Sequence, residues 1–165
     1  MTAGEVRPAR AGDLDSVVQV FLACWRESYA DLLPPDVRDM YTVDSATAMW
    51  RRCEWDRVLV VEVPGRGVLG MTRFGPEPGD PAVGHVYSLY VHPSTQGLGL
   101  GRDLLTAARV RLRAEGFDAA TLWVFAGNTS AREFYARQGW TPDGGERVES
   151  AYRLPEVRLR TALLP

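Results

Sequence analysis

Leu89-Tyr90-Val91-His92-Pro93-Ser94-Thr95-Gln96-Gly97-Leu98-Gly99-Leu100-Gly101-Arg102-Asp103-Leu104-Leu105 is the stretch that decides the fold. Its first residues close an apolar run from Val83 to Val91 that reads as a strand, and His92-Pro93 ends it. Three glycines follow within five residues. From about Gly101 to Glu115, Leu104, Leu105, Ala108 and Leu112 then recur at the spacing of one helix face. A glycine-rich turn therefore joins a strand to a helix. The first N–H groups of a helix lack partners within it and carry positive partial charge, so they can accept an anion. Glycines let the backbone approach that anion closely. A diphosphate fits this chemistry. The dinucleotide fingerprint GxGxxG does not: counted from Gly97 its third glycine falls at Arg102, and counted from Gly99 at Leu104. A lysine-bearing phosphate loop is excluded, because all nineteen basic residues are Arg. For the same reason the chain has no lysine ε-amine at which it could modify itself.

Working outward, Glu5 to Arg7 reads as a short strand, and Gly12-Asp13 as a turn and helix N-cap. Leu14, Val17, Val18, Phe21, Leu22, Trp25 and Tyr29 form one face of a helix from Leu14 to Tyr29. Pro34-Pro35 breaks the chain. A second helix is expected from the caps Asp44 and Ser45 through Trp50 to about Glu54. Val58 to Val63 and Val68 to Phe74 read as a hairpin around Pro64–Gly67. Gly75 to Pro81 holds three Pro and two Gly, which predicts a loop. After the central helix, Ala119 to Phe125 is a strand. Asn128 caps a short helix ending before Gly139, and strands are expected at Arg147 to Leu154 and Glu156 to Leu163. The order β, α, α, β, β, β, α, β, α, β, β combines hairpins with one βαβ crossover, which implies a mixed sheet. No repeat or long linker divides the 165 residues, so one domain, 1–165, is expected.

The central stretch, with its spacing Gln-x-x-Gly-x-Gly behind a strand end and a proline, closely resembles the pyrophosphate-binding motif of the GNAT superfamily of acyl-CoA N-acyltransferases. The resemblance implies an α/β fold, a twisted, mixed, mostly antiparallel sheet flanked by about four helices. It implies acetyl-CoA (coenzyme A) as cosubstrate and no metal. The backbone N–H groups of Gln96, Gly97, Leu98, Gly99, Leu100, Gly101 and Arg102 would hold the pyrophosphate, with the Arg102 guanidinium as a further donor. Leu89, Tyr90 and Val91 would pair with the pantetheine amides, and the Val91 N–H would polarise the thioester carbonyl.

A second stretch, Asn128-Thr129-Ser130-Ala131-Arg132-Glu133-Phe134-Tyr135-Ala136-Arg137-Gln138-Gly139-Trp140, resembles the second signature of the same superfamily. There Asn128 would contact pantetheine as well as cap the helix. Tyr135 would serve as general acid beside the coenzyme sulfur. A phenol near pKa 10 facing a thiol near about 8.5 donates mildly uphill, yet a hydrogen bond to the developing thiolate still lowers the barrier. The two motifs and the element order carry the resemblance over about Val58 to Trp140; the N-terminal helices match in pattern only.

Many members of the superfamily place a Glu early in the strand before the glycine turn. Here that segment is Gly84-His85-Val86-Tyr87-Ser88-Leu89 and holds no carboxylate. His85 is the natural substitute as base, since imidazole titrates near neutrality. Tyr87, Ser88 or an ordered water are alternatives, and a structural His85 has equal standing. His92, at the strand end, reads as structural. Trp25, Tyr29, Trp50 and Trp55 are candidates to line an acceptor pocket or to pack the core. Glu27 and Asp31 are candidates to attract a cationic amine.

The formal net charge of −2 gives no electrostatic reason to expect nucleic acid or an anionic membrane as partner. Cys24 and Cys53 form neither a disulfide framework nor a zinc site. Both are expected as buried thiols away from the two motifs, so no covalent acyl-enzyme is implied. The N-terminal residues lack the apolar core of a signal peptide, and no run of about eighteen apolar residues occurs, so a cytoplasmic enzyme is expected. The acceptor would be the amine of a small molecule or peptide. Members of the family often form homodimers, and the C-terminal strands are a candidate interface. Two rivals are a non-catalytic acyl-CoA-binding sensor of the same fold and a regulator holding another diphosphate on the glycine turn.

Overall fold

The computed structural model describes residues 4–163. They gather into two compact units, one of residues 4–73 and 88–108, the other of residues 74–87 and 109–163. The ends of the expected 1–165 domain, residues 1–3 and 164–165, lie outside the described residues.

The first unit begins with β1 (Glu5–Pro8), α1 (Leu14–Ala23), a π-helix (Cys24–Ser28), α2 (Pro35–Arg38) and α3 (Val43–Arg51). It continues with β2 (Val58–Val63) and takes in the start of β3 (Gly67–Glu77), the end of β4 (Asp80–Val91) and the start of α4 (Leu100–Ala114). β1 pairs antiparallel with β2 from Glu5↔Glu62 to Pro8↔Leu59, and β2 antiparallel with β3 from Val58↔Arg73. Val17, Val18, Phe21 and Leu22 of α1 are buried, as are Ala46 and Trp50 of α3 and Val58, Val60 and Val61 of β2. Each buried aliphatic side chain contributes about 1.5–3 kcal/mol against full exposure, so these faces anchor the unit. Arg7 ties β1 down from three sides: it bonds both Asp13 carboxylate oxygens, at 2.8 and 3.0 Å, and Glu62 at 2.9 Å. The Arg7 guanidinium holds the Asp13 carboxyl below its ordinary range.

The second unit holds the rest of β3, β4 and α4, then β5 (Ala119–Phe125), α5 (Thr129–Arg137), β6 (Thr141–Glu149) and β7 (Leu154–Ala162). β4 pairs in parallel with β5 at Gly84↔Ala120. β7 lies antiparallel between β5 and β6, with Ala119↔Ala162 on one side and Thr141↔Arg160 on the other. Phe74, Leu112, Ala120, Leu122, Trp140 and Leu159 are among its buried apolar residues. On the strands, the Trp123 ring has the Arg147 guanidinium 4.3 Å and the Arg158 guanidinium 5.7 Å from its centre. Hydrogen bonding orders the strands β1-β2-β3-β4-β5-β7-β6, a seven-stranded mixed sheet that is antiparallel except at β4–β5 among the pairings described. This is the expected α/β fold class.

Several local expectations need correction. The first helix does not run as one α-helix to Tyr29; it becomes a π-helix at Cys24. Pro35 does not only break the chain: it opens the one-turn α2, where its missing N–H costs nothing, which brings the α-helices among the described residues to five. α3 is capped by Thr42, not Asp44. The Thr42 side chain accepts from the Ser45 N–H at 3.0 Å and Ser45 Oγ accepts from the Thr42 N–H at 2.9 Å, a reciprocal box. α3 also ends at Arg51, short of Glu54. Asp13 makes no side-chain cap to α1, because its carboxylate is taken by Arg7 and the Arg10 N–H. The loop expected over Gly75 to Pro81 shrinks to Pro78-Gly79, since β3 and β4 continue through its prolines. The strand expected at Arg147 to Leu154 begins at Thr141 and ends at Glu149.

Candidate functional site

In the first unit, β4 delivers Leu89, Tyr90 and Val91, all half-buried, to the start of the glycine turn. The turn needs its glycines at two places. Gly97 has φ +85° and Gly99 φ +82°, a left-handed backbone that costs an ordinary L-residue about 1–2 kcal/mol. A Cβ on Gly97 would meet nothing within 4 Å, so the turn faces open space there. The helix begins at once: the Asp103 N–H returns to the Gly99 carbonyl at 3.0 Å. By helix geometry the N–H groups of Leu100, Gly101 and Arg102 come before the first N–H that finds an acceptor within the helix, that of Asp103. Leu98 is 52% exposed, so its side chain is not what holds the turn. Arg102 forms an exposed 3.2 Å pair with its neighbour Asp103, a contact weak enough to yield to a phosphate. Backbone donors, a helix terminus and one exposed guanidinium are a donor set that fits a diphosphate.

What surrounds this stretch was not visible in the sequence. The Cys24 thiol donates to the Val91 carbonyl at 3.0 Å, and the Gln96 amide donates to the Ser28 hydroxyl at 3.2 Å. The expectation that neither cysteine falls near the motifs is therefore wrong for Cys24: the π-helix brings it to the end of β4. Burial pushes its thiol up to about 12, which keeps it protonated and a poor nucleophile. Cys53 is half-buried just beyond α3, and burial raises its thiol as well.

The N-terminal aromatics form one cluster. Phe21 has its ring centre 5.7 Å from Trp25, 5.0 Å from Tyr41, 5.7 Å from Trp50 and 5.4 Å from Tyr90. Tyr29 lies 5.7 Å from Trp25 and 6.4 Å from Tyr90. Trp25 and Trp50 are buried; Tyr29, Tyr41 and Tyr90 are half-buried. The Trp25 indole N–H donates to the Val37 carbonyl at 3.0 Å, whereas the buried Trp50 N–H has no partner. Trp55 takes no part in these ring contacts, and Glu27 and Asp31 are exposed. Tyr41, and the place of Tyr90 in this cluster, escaped the sequence reading because helical periodicity cannot reach a loop or a strand.

In the second unit His85 is buried, with Nδ1 2.7 Å from the Thr121 hydroxyl on β5 and its ring 4.7 Å, edge to face, from Tyr87. The parallel pairing His85↔Thr121 makes this contact, and only the sheet register could have revealed it. Tyr87 donates its phenol proton to the Pro76 carbonyl. Asn128 caps α5: its Oδ1 accepts the Ala131 N–H at 3.2 Å. Tyr135, near the end of α5, is half-buried and packs 6.3 Å from the Trp140 ring; desolvation pushes its phenol above the ordinary value. Its oxygen is thus a proton donor throughout the neutral range. In the first unit His92 caps the turn after β4, its Nδ1 accepting the Ser94 N–H at 3.2 Å, a structural role as expected. Among the described residues no group of three or more His, Cys, Asp or Glu is placed to hold a metal, and no helix is long and apolar enough to cross a membrane.

Comparison with known proteins matches residues 14–140 to the acetyltransferase (GNAT) family. An uncharacterised N-acetyltransferase of Bacillus subtilis, YuaI, is 28% identical over 94% of this chain and 88% of its own. The fold superposes on the PaiA N-acetyltransferase of Thermoplasma acidophilum, solved with coenzyme A, with a TM-score of 0.77 over 97% of this chain and 99% of that one, at 15% identity. The structure of YncA from Salmonella typhimurium, solved with acetyl-CoA, gives a TM-score of 0.73 over 98% of this chain and 95% of that one, at 20% identity.

Proposed function

The chain belongs to the acetyltransferase (GNAT) family, and from that premise we propose that it transfers an acetyl group directly from acetyl-CoA to a primary amine of a small molecule or peptide. The observation that carries this reading is the glycine turn, with Gly97 and Gly99 left-handed at the head of α4. The relatives solved with coenzyme A or acetyl-CoA support the choice of diphosphate. We further take residues 1–165 as one catalytic domain, supported by a family match that runs through both units and by β3, β4 and α4, each continuous between them.

The turn and α4 terminus hold the pyrophosphate, assisted by Arg102. Leu89 to Val91 pair with pantetheine, and the Val91 N–H donates to the thioester oxygen, stabilising the charge that develops as the amine attacks. The new C–N bond forms as the C–S bond breaks. The departing thiolate takes the Tyr135 proton, and Asn128 contacts pantetheine while capping α5. The amine proton leaves through His85, whose Nδ1 is already fixed by Thr121. Holding both reactants in this arrangement supplies most of the rate. The test is a panel of primary amines with acetyl-CoA, read as free thiol released and amide formed. Amide formation on any amine supports the enzyme; tight acetyl-CoA binding with no turnover across the panel would instead favour the sensor.

A further inference from the structure

The π-helix Cys24–Ser28 follows α1 without a break and is closed by the Tyr29 N–H donating to the Cys24 carbonyl at 3.1 Å. A π turn is rare, and such turns concentrate at functional sites. Here its contacts are specific. The Cys24 thiol reaches the Val91 carbonyl at 3.0 Å, and Ser28 receives the Gln96 amide at 3.2 Å. Val91 and Gln96 are the two ends of the segment that joins β4 to the glycine turn. The peptide after Val91 is thereby held on both sides: its carbonyl by Cys24, and its N–H, that of His92, by the Leu69 carbonyl at 2.8 Å. Fixing that peptide restrains the Val91 backbone and so narrows the directions its own N–H, in the preceding peptide, can take. The thiol is suited to this, since burial keeps it protonated as a permanent donor. The same helical turn carries Trp25 and leads into Tyr29, two rings of the aromatic cluster.

We propose that the π-helix is a clamp on the acyl-donor site: Cys24 is a positioning residue for the Val91 amide, and Ser28 is a positioning residue for the glycine turn through Gln96. This rests on the reading of Val91 and the turn as the acetyl-CoA site. The two halves of the clamp act on different quantities. The Cys24 contact sets how strongly the thioester carbonyl is polarised. The Ser28 contact sets how firmly the diphosphate is held.

The experiment binds [1-13C]acetyl-CoA to the native protein and to Cys24→Val, Cys24→Ser and Ser28→Ala, reading the carbonyl resonance by NMR and Kd by calorimetry. In the native protein a hydrogen bond moves the carbonyl resonance downfield of free acetyl-CoA. Cys24→Val keeps the volume and loses the donor. It is expected to lose about half or more of that displacement with Kd within about threefold, and Cys24→Ser, which keeps a donor, to restore it. Ser28→Ala is expected to raise Kd about three- to tenfold with the displacement retained. A native displacement that survives in Cys24→Val, or a Cys24→Ser that fails to restore it, overturns the clamp alone. Absence of acetyl-CoA binding by the native protein overturns the acetyl-CoA reading and the clamp with it.

Discussion

The two units put different parts of the chain to work. In the first, the proposed chemistry is carried by backbone: the N–H groups of the glycine turn, of the α4 terminus and of Val91. In the second it is carried by side chains: the Tyr135 phenol, the Asn128 amide and the His85 imidazole. Short of proline, no substitution deletes a backbone donor; it is redirected or repelled, so the first region should break through conformation and charge. A side chain is removed by changing a few atoms, so the second should break through conservative substitution.

The largest effect is expected from Gly97→Asp. Asp tolerates a left-handed backbone better than most residues, and the position faces open space, so the fold is retained. The carboxylate would repel a diphosphate. Acetyl-CoA should raise the native Tm as any ligand of the folded state does, and the variant should lose that rise, with affinity weakened about a hundredfold or more. Tyr135→Phe comes next. Its kcat should fall about 10- to 100-fold with acetyl-CoA affinity nearly unchanged, the inverse of the Gly97 effect. Because desolvation raises the Tyr135 phenol, its donor form persists as pH rises, and no alkaline loss of kcat from Tyr135 is expected below about pH 10. His85→Ala should lower kcat about tenfold; an unchanged kcat would assign His85 to packing with Thr121. The smallest effect is expected from Arg102→Ala, a rise in acetyl-CoA Kd of about three- to fivefold in calorimetry. A larger loss there than at Gly97 would mean that a side chain, not the backbone, dominates the first region.

The same contrast explains what the sequence revealed. A glycine turn is legible because the requirement for φ above zero is written in the residue type at Gly97 and Gly99. α5 and its cap at Asn128 are legible because the motif is contiguous. The π-helix is not, because Cys24 and Ser28 are held by Val91 and Gln96, 67 and 68 residues away in the chain. Thr121 was missed because His85 meets it only through the parallel register. β6 was misplaced because Thr141-Pro142-Asp143-Gly144-Gly145 carries turn residues and little apolar alternation; antiparallel pairing with β7 makes it a strand despite its exposure. In the N-terminal region helical periodicity found Phe21, Trp25 and Trp50, but not that Tyr41 and Tyr90 complete their cluster.

The central claim is that the glycine turn holds the acyl donor. Its most direct test is calorimetric titration of acetyl-CoA into the native protein, Gly99→Val and Gly116→Val. Gly99 and Gly116 are both left-handed, with φ +82° and +99°, so the two variants carry comparable backbone strain, but only Gly99 belongs to the turn. The account predicts one binding site in the native protein, retained in Gly116→Val and lost in Gly99→Val. No binding to the native protein, or equal binding by all three, would contradict it.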